Sequence, residues 1–286
     1  LITPRHEFIA ACGHEIHVTL WGDPAAKPIV MWHGLARTGR DFDELAGVLG
    51  ESHFVLCPDT FGRGLSSWSV APETDYSVAH MADTAEALLD HFDLNQTGWL
   101  GTSMGGLIGM YLASDHRAER LNYLIINDIG PEVPQDAVDR ILTYAADLPV
   151  FASFGEAETW LRTVYAPFGE APDDFWRRMT LTSLRRRDDG MLTLHYDPQI
   201  IRQFDCFADE LNSWDRYARI SLPTHVLAGA YSDILTTPIL ERMCTEGPLP
   251  QVSVFDNCGH APALASPEDI DFLCSVIDRL ESREHA

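Results

Sequence analysis

A chain of 286 residues, 45% hydrophobic and 22% charged, has the length and composition for one large packed domain or for a core with an insertion. Its formal net charge of −23, with Lys27 as the only lysine, argues against a nucleic-acid partner, because phosphate binding needs clustered cations. No apolar run approaches the roughly 18–20 residues of a membrane-spanning helix, and "LITPRHEF" lacks the basic stretch and apolar run of a secretory leader, so a cytoplasmic protein without membrane contact is expected.

In chain order, "HEIHVTLWG" (His14–Gly22) alternates like a half-exposed strand, and "PIVMWHG" (Pro28–Gly34) and "HFVLCPD" (His53–Asp59) read as short buried strands. "YSVAHMADTAEALLDHF" (Tyr76–Phe92) carries Val78, Met81, Ala85, Leu88, Leu89 and Phe92 at helical spacing. "TGWLGTS", the helix-like "MGGLIGMYLASDH" and the strand "LNYLIIND" (Leu121–Asp128) follow. Strands alternating with helices at this rhythm predict an α/β fold with a parallel sheet and crossover helices. The rhythm breaks from about Pro131 to Arg219, where amphipathic helices are expected at Gln135–Ala146, Phe154–Tyr165, Asp173–Arg187 and Pro198–Trp214 and no buried strand is. It resumes with "PTHVLAGAYSD" (Pro223–Asp233), a helix near Pro238–Glu246, "QVSVFDN" (Gln251–Asn257) and a closing helix, Pro267–Arg279. The simplest organisation is a core of residues 1–130 and 220–286 interrupted by a helical insertion, 131–219, too long for an ordinary connection.

The chemistry gathers at "GTSMGG", Gly101–Gly106, a G-x-S-x-G pattern between an apolar strand and a helix. A sharp strand-to-helix turn strains the backbone at the serine, and glycines beside it let the chain fold tightly enough to lift the Ser103 hydroxyl out. There it meets the positive end of the following helix, and the Met104 N–H becomes a candidate oxyanion donor. A serine nucleophile needs a base. Of the twelve histidines, His260 in "NCGHAP" follows a buried strand on the same carboxyl edge as Ser103. His33 also follows a strand, but beside Gly34 it reads as a structural hydrogen bonder at a turn that aims the Leu35 N–H inward as a second oxyanion donor. The base needs an orienting carboxylate. Asp233 in "GAYSD" is favoured, in the chain order serine, acid, histidine, and Asp128 in "IINDIG" satisfies the same order. The six cysteines, Cys12, Cys57, Cys206, Cys244, Cys258 and Cys274, include no C-x-x-C pair, so free thiols are expected. Cys258 and His260 have no second cysteine–histidine pair to complete a metal site, and no metal or cofactor is expected.

Taken together, "HGLARTGRDFDELAGVL", "CPDTFGRGLSSW", "GTSMGG", "GAYSD" and "NCGHAP" resemble the α/β-hydrolase family, in its usual order and over nearly the whole chain. The resemblance implies an eight-stranded, mostly parallel sheet flanked by helices, a triad of Ser103, Asp233 (or Asp128) and His260, and a helical cap at 131–219. Members that remove halide or open epoxides use an aspartate nucleophile, which Ser103 argues against. Relatives that hydrolyse carbon–carbon bonds of ring-cleavage products often show "SMGG", but they carry a longer glycine-rich oxyanion stretch and asparagine in place of Thr102. The expected activity is therefore hydrolysis of a small-molecule ester, lactone or thioester with a small to medium acyl part. Carbon–carbon bond hydrolysis and ligand binding without turnover are the alternatives. Aromatic side chains of the insertion, Trp160 and Trp176 among them, are candidate pocket residues beside His33 and Gly34. One arginine of the run Arg185–Arg187, turned inward, is a candidate for a substrate carboxylate. Oligomeric state is not legible in the sequence.

Overall fold

The computed structural model describes residues 2–282. Eight strands form the main sheet: β1 (Arg5–Ala11), β2 (His14–Trp21), β3 (Lys27–Trp32), β4 (His53–Pro58), β5 (Thr97–Thr102), β6 (Leu121–Asn127), β10 (Thr224–Gly229) and β11 (Gln251–Phe255). Their order is β1-β2-β4-β3-β5-β6-β10-β11. β1 pairs antiparallel with β2, and β2 with β4. All other neighbours run parallel. Seven of the eight lie where the apolar runs predict them. β1 does not announce itself, because four of its first residues face solvent and only Ile9 and Ala11 are buried.

The central strands are apolar on both faces because both are covered. Trp32, Trp99, Leu124 and Val226 pack under the helices Val78–His91 and Met104–Ala113 on one side. Met31, Leu100, Ile125 and Leu227 meet the helices Asp43–Leu49 and Pro267–Ser282 on the other. The chain leaves β3 toward β4 on one side and then crosses back to lay β5 on the other. Loops leaving the carboxyl ends of β3 and β5 therefore diverge, and a crevice opens between them.

Residues between β6 and β10 form the insertion. The helices Gln135–Ala145, Phe154–Val164 and Asp173–Ser183 appear close to the predicted places. Two features depart from the helical expectation. A three-stranded antiparallel sheet, of order β7-β9-β8, joins β7 (Val150–Phe151), β8 (Leu184–Arg186) and β9 (Leu192–Leu194). The helix from Asp173 stops at Ser183 because "LRRRDDGMLTL" turns back as a hairpin, with Gly190 at φ 84° and the Arg187 N–H on the Met191 carbonyl at 2.8 Å. The second departure is at Pro198–Trp214, which breaks into short turns of helix. There the chain is tied back to the start of the insertion: the Val133 N–H reaches the Leu211 carbonyl at 2.9 Å, and the Ser213 N–H reaches that of Pro131 at 2.6 Å.

All six cysteines are unpaired. Among the described residues, no helix is long and apolar enough to cross a membrane.

Candidate active site

Ser103 closes β5 and precedes the helix Met104–Ala113, all ten of whose residues are buried. Its backbone sits at φ 52°, ψ −116°, a strained conformation for a residue with a Cβ. The surrounding glycines have identifiable reasons. A Cβ on Gly101 would overlap the Gly105 carbonyl, and one on Gly105 would overlap the carbonyl of Trp32 in β3. The turn is tight because strand, helix and neighbouring strand touch backbone to backbone.

At its tip, the Ser103 Oγ lies 2.9 Å from Nε2 of His260. The His260 Nδ1 lies 2.8 Å from Oδ2 of Asp128. Asp128 directly follows β6, at φ 59°, and its side chain is fully buried. Its carboxylate also accepts the Gly229 N–H at 2.7 Å and the Ser232 hydroxyl at 2.6 Å, and its own N–H bonds the Leu227 carbonyl at 2.8 Å. Two donors besides the imidazole thus fix the carboxylate in a buried place and aim one oxygen at the ring.

Asp233, the acid favoured from sequence, is elsewhere. It lies four residues past Gly229, the last residue of β10, at the protein surface, paired through both oxygens with Arg140 of the insertion. The loop carrying it does approach the site, but it presents Ser232 to Asp128 instead. Chain order alone does not separate the two acids; what does is that the end of β6 adjoins the end of β5, so Asp128 begins closer to Ser103.

The neighbouring Asn127 was not anticipated. Fully buried, it donates Nδ2 to the Thr102 hydroxyl at 3.1 Å and to the Pro262 carbonyl at 3.0 Å, while its own carbonyl accepts the Ser103 N–H at 2.9 Å. One side chain thereby ties the serine turn to the histidine loop. A buried asparagine closing a strand was the available signal.

Opposite the serine, the turn after β3 brings Gly34 close: a Cβ there would stand 3.6 Å from that of Ser103. Neither the Leu35 nor the Met104 N–H is taken up by a hydrogen bond to another described residue. His33 holds this turn from behind. Its Nε2 accepts the Thr60 N–H at 2.9 Å, so the proton belongs on Nδ1, which donates to the Gly34 carbonyl at 2.7 Å. Complete burial pushes its pKa down to about 4, keeping the ring neutral. Arg63, also missed, is the second brace. Buried, and without an ion-paired carboxylate among the described residues, it donates Nε to the Leu35 carbonyl at 2.8 Å and Nη1 to that of Phe61 at 2.9 Å. Burial lowers its pKa to about 10, so the guanidinium is still charged at neutral pH. Asp59 completes the support by accepting the N–H groups of Gly39 and Leu65 and the His17 ring. Burial alone would raise its carboxyl, but these hydrogen bonds and the His17 charge outweigh it and hold the group below the usual carboxylate range.

Ser103 and His260 open into a pocket of about 810 Å³, its mouth included. The core supplies Gly34, Leu35, Arg37, Thr102 and Pro262, and the insertion supplies Arg140, Ile141, Tyr144, Tyr165, Phe168 and Phe175. Trp160 and Trp176 do not line it. Trp160 packs on Phe151 at 5.7 Å between ring centres, and Trp176 lies under the Arg162 guanidinium. The helix Asp173–Ser183 turns Phe175 inward, and so its neighbour Trp176 away. The Arg185–Arg187 run is outside as well, with Arg185 over the Trp68 ring and Arg187 paired to Asp189.

Away from this pocket, His14, Asp75 and His80 are the described residues whose ligating atoms come within 4.8 Å of one another. His14 Nε2 stands 3.5 Å from the Asp75 carboxylate, and its ring stacks on Phe61. Cys258 and His260 do not form a metal pair, because both imidazole nitrogens are engaged by Ser103 and Asp128.

A sequence model of the alpha/beta hydrolase fold matches residues 27–267. The chain is 36% identical over 283 residues to the 3-hydroxybutyrate-oligomer hydrolase of Cupriavidus necator, covering 94% of this chain and 96% of that one. It is 39% identical over 83 residues, 29% of the chain, to 3-oxoadipate enol-lactonase 2 of Acinetobacter baylyi. Among solved structures, an alpha/beta hydrolase from Novosphingobium aromaticivorans superimposes with a TM-score of 0.83 at 27% identity, over 98% of this chain and 99% of its own. With sheet order, serine turn and family match in agreement along the chain, this protein belongs to the α/β-hydrolase family.

Proposed function

We propose that the protein is a serine hydrolase of carboxylic esters, that residues 131–219 act as its cap, and that short oligoesters of 3-hydroxybutyrate are its substrate class. The observation that carries the chemistry is the hydrogen-bonded series Ser103–His260–Asp128 at the floor of the pocket. The substrate class is supported by the near full-length relative that acts on 3-hydroxybutyrate oligomers and by a largely apolar pocket suited to short methyl-bearing acyl units.

In this mechanism the Ser103 Oγ attacks the ester carbonyl carbon as its proton passes to Nε2 of His260. Asp128 keeps the proton of Nδ1 in place and stabilises the imidazolium that forms. The Leu35 and Met104 N–H groups receive the negative charge developing on the carbonyl oxygen. A single such donor is worth about 10²–10³ in rate. Collapse of the tetrahedral intermediate expels the alcohol half, which takes the proton from His260 and leaves an acyl-enzyme on Ser103. Water, deprotonated by the same imidazole, attacks the acyl carbon and releases the acid and the free serine. The strained Ser103 backbone and the braces from His33 and Arg63 hold nucleophile and donors ready, so little reorganisation remains for the reaction step. Six unpaired cysteines suit a reducing compartment, and on that ground the cytoplasm is the proposed setting.

The test is hydrolysis of 3-hydroxybutyrate dimer and trimer and of p-nitrophenyl butyrate by the wild type and by Ser103→Ala. The alanine variant is expected to fold normally and to lose at least about 10⁴-fold in kcat on each ester. Turnover retained by pure variant protein would remove Ser103 from the mechanism.

A further inference from the structure

The walls of the pocket are apolar apart from a few groups, among them two guanidiniums, Arg37 and Arg140. These are unusual cations for a protein of net charge −23, whose field as a whole disfavours anions. They differ in availability. Arg37 is committed: its side chain is 5% exposed, its Nε and Nη2 both reach Asp41, at 2.8 and 2.6 Å, and it lies over the Tyr165 ring. Arg140 is 39% exposed and stands on the cap helix Gln135–Ala145, one residue before the pocket residue Ile141. Its partner Asp233 is 47% exposed and is not part of the pocket wall. An ion pair held this close to water loses little when one carboxylate is exchanged for another.

We propose that Arg140 forms a carboxylate-binding subsite that takes the free terminal carboxylate of a short hydroxyacyl oligoester, with Asp233 as the competing internal anion. The guanidinium fork that holds Asp233 through Nε and Nη2 suits a substrate carboxylate equally, because both present two coplanar oxygens. Ser103 opens on the same pocket, so an oligomer anchored at Arg140 presents its ester to the nucleophile from a fixed end. The site then selects free-acid oligomers over esters of the same length lacking the charge. This rests on the ester-hydrolase reading above and names the chemical feature by which that site chooses its substrate.

Binding tests it separately from turnover. In the Ser103→Ala protein, the Kd for 3-hydroxybutyrate dimer as the free acid is compared with that for its methyl ester, by titration calorimetry. Arg140→Gln or Asp233→Asn is then added. The subsite predicts that the free acid binds better, that Arg140→Gln lowers this preference about tenfold, and that Asp233→Asn raises it by removing the competitor. If the pair were only a latch between cap and core, both variants would break the same contact and shift the preference alike. Equal shifts, no shift, or no preference in the parent protein would overturn the subsite. Loss of ester turnover by the wild type is a different result, and it would strike the proposed reaction instead.

Discussion

Asp128 combines burial with three donors, the imidazole among them, and replacing it tests that role. Asp128→Asn keeps the shape but presents an amide that donates where the imidazole also donates, so the ring is held in the wrong tautomer. A loss of about 10⁴-fold in kcat is expected, far beyond that of Asp233→Asn, and parallel kinetics on p-nitrophenyl butyrate would show it. Equal losses would return the role to Asp233. At this scale the sequence is legible where chemistry leaves a local pattern: Ser103 by its glycines, His260 by its loop after a strand. It is silent where identity depends on which strand ends adjoin. Asp128 and Asp233 both follow strands on the correct edge, and only the pairing of β5 with β6 puts one of them beside the serine. Arg63 and Asn127 were hidden for a related reason, since their partners, the carbonyls of Leu35 and Pro262, are brought near by folding and not by spacing.

Among the elements, the serine turn has the least room for change. Gly105→Ala sets a methyl group against the Trp32 carbonyl, backbone against which no side chain can yield. Overpacking of this kind typically costs about 1–3 kcal/mol, and in a protein of this size each kcal/mol lowers Tm by about 2–4 °C. Calorimetry on Gly105→Ala should therefore find a clearly lower Tm, together with reduced activity from a displaced Ser103. An unchanged Tm would mean that β3 and the helix can move apart. Central strands are readable because burial on both faces makes them uniformly apolar. The edge strand β1 is not, since half its surface obeys solvent, and neither is the hairpin β8–β9, whose arginines fit a helix as well as a strand.

For the molecule as a whole, acid is the expected weakness. His33 and His225 are both held neutral by burial, each with its pKa lowered to about 4 against 6.5 in the unfolded chain. Between those values the unfolded chain binds protons that the folded one refuses, so their contribution is complete above pH 6.5 and is lost as the pH falls toward 4. For His33 the slope reaches about 1.4 kcal/mol per pH unit. Asp59, whose carboxyl is also shifted down but from the ordinary carboxylate range, keeps its contribution until the pH falls below that range. Urea midpoints at pH 7, 6 and 5 should fall in that order, and a flat series would contradict neutral burial of these rings. The site of Asp128 on the chain carries a broader implication. It stands three residues before the insertion begins, on the first half of the core, so the imidazole's partner is set before the polypeptide departs into the insertion. The loop after β10 supports that carboxylate through Ser232, and its own aspartate, Asp233, meets Arg140 of the insertion. Changes at Asp233 and Arg140 can therefore rework the junction of that loop with the insertion while every hydrogen bond joining Ser103, His260 and Asp128 is kept.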